Sequence, residues 1–177
     1  MSRRLPALER NILKYRALEM VIILFYAEHI KNFAYNSLKA TSRLNGRELP
    51  EKKKYEKTWE ILVNDEIINE EESKEIQSLI NYRNDIGHRI VDLTYDLSNS
   101  PYAQSYKELH GIKYDYNARI RLKYFSEELP KRMRGKYIQS LSMKPLLFEA
   151  AEKTYDEELL RLGNKIARQY RKSFNNK

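Results

Sequence analysis

Apolar side chains recur at intervals of three and four along most of the chain, and no stretch alternates with period two for long enough to make a strand. Leu8, Ile12, Tyr15, Leu18, Ile22, Tyr26, Ile30 and Phe33 form the first such series. It predicts a helix from Leu8 to about Leu38. Between Met20 and Ala27 the apolar character runs all the way round the helix. That turn needs cover on more than one side, from the rest of the domain or from a second subunit. Asn45-Gly46 ends the unit, and Pro50 opens a second helix through Trp59 to about Val63, with Tyr55, Trp59 and Leu62 on one face.

A third helix is predicted from about Asn69, where Glu70, Glu71 and Glu72 complement the positive end of the helix dipole. Its apolar face continues through Leu79, Ile86, Ile90 and Leu93 until Ser98-Asn99-Ser100-Pro101 interrupts it. Ser100 caps a short helix that closes at His110-Gly111. A further helix follows Tyr114 and ends at Pro130, before the basic stretch Lys131-Arg132-Met133-Arg134-Gly135-Lys136, read as a loop. The last helix starts at Pro145 and keeps Phe148, Ala151, Tyr155, Leu159, Leu162, Ile166 and Tyr170 in register. That regularity overrides a capping-box pattern at Thr154 and Glu157. With no repeat, linker or low-complexity segment, the expectation is one all-α domain over residues 1–177, a bundle of five or six helices.

Composition narrows the function classes. Five glycines and five prolines in 177 residues are too few for the frequent turns of a β-sandwich or barrel. The absence of cysteine excludes a disulfide framework and a cysteine-ligated zinc site. Neither a Gly-rich phosphate loop, an H-E-x-x-H pair nor a G-x-S-x-G elbow is present, and no spacing suggests a metal site or a cofactor. No apolar stretch follows Arg3 and Arg4 as a signal peptide would require, and the run Met20–Ala27 is far short of the roughly 20 residues that span a bilayer. A cytoplasmic protein without a membrane partner is expected.

The net charge of +8 favours polyanionic partners. Its distribution is uneven: residues 1–60 hold 13 basic and 7 acidic side chains, residues 61–110 hold 4 and 10, and residues 111–177 hold 16 and 8. An acidic middle between basic flanks fits either pairing between helices or a basic surface.

The segment that carries chemistry is Asn81-Tyr82-Arg83-Asn84-Asp85-Ile86-Gly87-His88-Arg89-Ile90. On an ideal helix with Ile86 at zero, Leu79, Ile90, Leu93 and Leu97 fall within about 40° of it and define the buried face. His88 falls at about 200°, Asn84 at about 160° and Tyr95 at about 180°, on the opposite side. Asn84 stands four residues before His88, close enough to orient the imidazole. Arg83 lies about 140° from His88. Three arrangements would let the two act together: a helix relaxed at Gly87, an arginine that reaches round, or a site built from two copies of the motif.

Arg83-Asn84-Asp85-Ile86-Gly87-His88 resembles the R-x4-6-H signature of the HEPN superfamily, in its four-spacer form with a polar residue directly after the arginine. The motif covers about ten residues, and the order of helices around it extends the likeness to roughly 100. The resemblance implies a HEPN-like helical bundle that dimerises, brings two motifs together in a cleft and, in active members, cleaves RNA without a metal. Many such proteins are toxins or effectors of defence against phage, so a cognate antitoxin or defence-system partner is implied. In HEPN toxins paired with a minimal nucleotidyltransferase antitoxin a tyrosine stands two residues after the histidine. Here that position is Ile90, and control through modification of that tyrosine is not expected.

The residue types suit the reaction. Metal-independent RNA cleavage needs a base for the 2′-hydroxyl, an acid for the departing 5′-oxygen and a cation for the charge that builds on phosphorus. A histidine titrates near neutrality and serves as base or acid. The permanently charged fork of Arg83 can bind two phosphate oxygens. A homodimer would supply two histidines. His88, Arg83 and Asn84 are therefore the candidate catalytic set, and RNA (tRNA, mRNA or another single strand) the expected substrate.

Candidate substrate contacts are Tyr82 and Tyr95, flanking the motif, together with Arg89, Lys131, Arg132, Arg134 and Lys136. Arg89 also stands four residues after Asp85, a spacing that makes a surface ion pair. The stripe Arg161, Lys165, Arg168 and Lys172 on the last helix either tracks a phosphate backbone or covers an apolar seam with its stems. His29, among apolar neighbours, and His110, at a helix C-terminus, read as structural. A non-catalytic HEPN-like module that binds a nucleotide or a protein partner is the alternative, and a helical accessory protein using only its basic surface is a weaker third.

Overall fold

The computed structural model describes residues 6–46, 49, 52–88, 93–94, 114–140 and 144–175. Among these residues 83% are helical and none lies in a strand, so the chain is all-α. The five helices are α1 (Ala7–Leu44), α2 (Lys54–Asn64), α3 (Glu70–His88), α4 (Ala118–Met133) and α5 (Lys144–Asn175). The short helix expected between Ser100 and His110 falls outside the described residues. No helix of the described residues is long and apolar enough to cross a membrane.

Local chemistry accounts for the helix ends. α1 runs 38 residues, well past Leu38. Lys39 to Arg43 carry no apolar stripe but contain nothing that breaks a helix. It stops where Gly46 adopts a left-handed φ of 66° and donates its N–H to the Arg43 carbonyl at 3.1 Å. α2 begins at Lys54, after Lys53 in left-handed geometry, rather than at Pro50, which is not among the described residues. α3 opens with a reciprocal cap: the Asn69 side chain accepts the Glu72 N–H at 2.8 Å, and the Glu72 carboxylate accepts the Asn69 N–H at 3.1 Å.

α4 corrects the expected end at Pro130. The helix carries Pro130 inside it and continues to Met133, so Lys131 and Arg132 are helical and not in a loop. Proline forfeits one N–H bond there. The buried side chains of Leu129 and Met133 on either side of it hold the last turn in place.

The chain divides into two compact units, one of residues 23–83 and 117–146, the other of residues 1–22, 84–116 and 147–177. In the first unit Ile23, Ile30, Ala34 and Leu38 of α1 are buried, as are Trp59 and Leu62 of α2, Ile76 and Leu79 of α3, and Leu122, Phe125, Leu129 and Met133 of α4. Burial of each large aliphatic side chain contributes about 1.5–3 kcal/mol. The segment after α4 is tied to α1 by polar bonds: the Ile138 N–H donates to Thr41 Oγ1 at 2.8 Å and the Ser140 N–H to Ser37 Oγ at 3.0 Å.

The second unit has a polar knot in its core. Arg16 of α1 is 3% exposed and donates to the Tyr116 hydroxyl from Nε and Nη2, at 3.0 and 2.8 Å, and to the Leu93 carbonyl from Nη1 at 3.0 Å. Its guanidinium lies over the Tyr114 ring, 4.8 Å from the centroid. The Tyr114 hydroxyl donates to the buried Glu19 carboxylate at 2.9 Å. A buried cation is tolerated only with such a full set of partners. Met20, Ile22, Leu93, Leu159 and Leu162 complete this core.

The turn of α1 with apolar character all round is covered within the chain to a large extent. Met20, Ile22, Ile23, Tyr26 and Ala27 are buried, whereas Val21 stays 38% exposed.

Candidate functional site

α3 carries Arg83, Asn84 and His88 on unbroken helix, and Gly87 neither relaxes it nor adopts a positive φ. Tyr82, Arg83 and Asn84 are half-buried, and Asp85 is exposed. His88 is the last described residue of α3, and its side chain lies outside the described residues, as do Arg89 and Tyr95.

Arg83 is engaged across helices: its Nη2 lies 2.9 Å from Glu28 Oε1 of α1. Glu28 also accepts from Lys31 at 2.7 Å and from the Asn32 amide at 3.4 Å. Burial would raise the Glu28 carboxyl, but Lys31 and Arg83 outweigh it and hold the group below its ordinary value. Glu28 is thus an ionised partner that any phosphate arriving at Arg83 must compete with. Sequence reasoning missed it because a contact between α1 and α3 leaves no trace in local spacing.

Glu28 also lines a cavity of about 430 Å³ in the first unit, together with Phe25, His29, Asn32, Phe33, Asn36 and Ser140. The His29 ring stacks on Phe25 with centroids 5.9 Å apart and planes 2° from parallel, and it lies 6.0 Å from Phe33. Burial pushes the His29 imidazole below its usual pKa, so it is neutral at pH 7. Its aromatic surroundings agree with a structural part.

The stretch 131–136 does not offer a free row of cations. Lys131 pairs with Glu128 at 2.7 Å. Arg132 Nη1 donates to both carboxylate oxygens of Glu72 at 2.9 Å, and its Nη2 donates to the Tyr124 hydroxyl at 3.0 Å. Lys136 donates to the Asp65 carbonyl at 2.7 Å and lies 3.8 Å from its carboxylate. The Tyr137 hydroxyl donates to the same carboxylate, and burial together with this bond raises the phenol above its ordinary pKa. Arg134 is exposed. The candidate contacts therefore separate: Tyr82 shares α3 with the motif, whereas Arg132 and Lys136 are bound to Glu72 and Asp65 of other elements and Lys131 to Glu128 on its own helix.

Compared with protein-family models, with curated proteins and with solved structures, the chain finds no match.

Proposed function

We propose that the chain is a metal-independent endoribonuclease of the HEPN type, acting on RNA as a cytoplasmic homodimer, in a toxin or phage-defence setting. The observation that supports this reading is the continuity of α3 through Arg83, Asn84 and His88, which keeps Asn84 one helical turn before His88. His88 takes the proton from the 2′-hydroxyl, whose oxygen attacks phosphorus. Arg83 holds the non-bridging oxygens as their charge grows, and the second protomer's histidine returns a proton to the departing 5′-oxygen. The products are a 2′,3′-cyclic phosphate and a 5′-hydroxyl.

Single-stranded RNA or tRNA incubated with the protein in EDTA is expected to acquire those ends. Because the mechanism uses two motifs, the solution mass at micromolar concentration is expected to be that of a dimer. A monomeric mass would count against the composite site.

The ion pair between Arg83 and Glu28 favours a second reading, a non-catalytic module binding a nucleotide or a protein partner, since it already occupies the guanidinium. Saturable nucleotide binding with no cleavage of any RNA would establish that reading.

A further inference from the structure

In the second unit, the N-terminal part of α1 and the C-terminal part of α5 border a groove of about 650 Å³. Lys14 lines it from α1, and Arg161, Lys165 and Arg168 line it from α5. Glu158 is the single carboxylate among the lining residues, which leaves a surplus of three positive charges. The Asn11 amide donates to Gln169 at 2.8 Å and fixes the two helices to each other beside the groove. Leu18 and Leu162 line its apolar part.

The charges are spaced along a line. Arg161, Lys165 and Arg168 stand at steps of four and three on one helix face and extend about 10 Å along α5. Lys14 and Lys165 are exposed, so each keeps a hydrated ammonium available to an anion. Arg161 is held by Glu158, its Nη2 at 2.6 Å from Oε2. That pair is exposed and contributes little to stability, so an incoming phosphate can replace the carboxylate. A row of cations of this kind matches a repeating anion better than a single one, and the sugar-phosphate backbone is such a ligand.

We propose that this groove binds the phosphate backbone of single-stranded RNA, the substrate class of the ribonuclease reading on which the inference rests. Affinity comes from counterion release, so the groove confers little base preference.

The test measures binding apart from cleavage. The probe is a fluorescent 20-nucleotide RNA with every 2′-hydroxyl methylated, which cannot be cut through 2′-attack, titrated with the full chain at several salt concentrations. Lys14→Glu/Lys165→Glu/Arg168→Glu is expected to weaken binding at least about tenfold at low salt and to reduce the slope of log affinity against log salt by about 2, since each lost contact removes about 0.7. Lys57→Glu, an exposed control on α2, is expected to stay within about twofold. Glu158→Gln is expected to tighten binding about threefold, a gain that no folding defect would produce. Unchanged affinity and slope in the triple variant, or no binding by the wild type, would overturn the proposal. So would a weak RNA complex beside a tight one with an acidic peptide at the same salt. Binding that behaves as expected while unmodified RNA stays intact would fault the catalytic reading and leave the groove in place.

Discussion

Two basic regions differ in the number of acids that face them. Between Lys131 and Lys136, Arg132 and Lys136 meet Glu72 and Asp65 of other parts of the unit, whereas Lys131 meets Glu128 one turn back on its own helix. In the groove of the second unit four cations meet one carboxylate. Both descriptions of the charge pattern thus hold, each in its own place. The acidic middle of the chain supplies Asp65, Glu72 and Glu75, which neutralise Lys136, Arg132 and Arg121 from the basic segment that follows. Among the residues that line the groove only Glu158 is acidic, which leaves a surplus of three positive charges there. A charge count locates basic segments, but which acid folds onto which base decides whether a segment is a surface for polyanions or part of the scaffold.

Removing the acids tests this contrast. Glu72→Ala has the largest expected effect, because it removes the carboxylate that accepts both the Asn69 N–H and two hydrogen bonds from Arg132. A loss of about 2–3 kcal/mol in denaturant unfolding is expected. The fraction that stays folded is expected to bind polyanions more tightly, through the released Arg132. If affinity does not rise, the pairing is not what keeps this region from binding.

Asp65→Asn is expected to cost about 1–2 kcal/mol through the weakened bond from Tyr137. The folded phenol lies above the unfolded value of about 10. Its contribution is therefore fully present below pH 10 and is lost as pH rises towards the folded value. Absorbance at 295 nm is expected to show one late-titrating tyrosine in the wild type and an earlier one in the variant. Identical titration curves would remove Asp65 as a cause. The smallest effect belongs to Glu128→Gln: this exposed pair is expected to leave the melting midpoint unchanged.

Much of the fold was legible because helical periodicity is a local signal. The series from Leu8 to Phe33 and from Phe148 to Tyr170 both lie on helices. The ends were less so. α1 outlasts its apolar stripe because polar residues as far as Leu44 still favour a helix, and α4 passes through Pro130 because buried neighbours hold its last turn. At the candidate site, the sequence placed Arg83, Asn84 and His88 on one helix. It held no sign of Glu28, the Arg83 partner contributed by α1. The groove was half visible: the α5 stripe has a local period, whereas Lys14 joins it only through packing of α1 beside α5.

The most direct test of the central claim is cleavage of single-stranded RNA and tRNA in EDTA by the wild type and by His88→Ala, with the product ends identified. The wild type is expected to leave 2′,3′-cyclic phosphates, and the variant to be slower by about 10²-fold or more. Equal rates for the two proteins would contradict the assignment of His88 as acid and base.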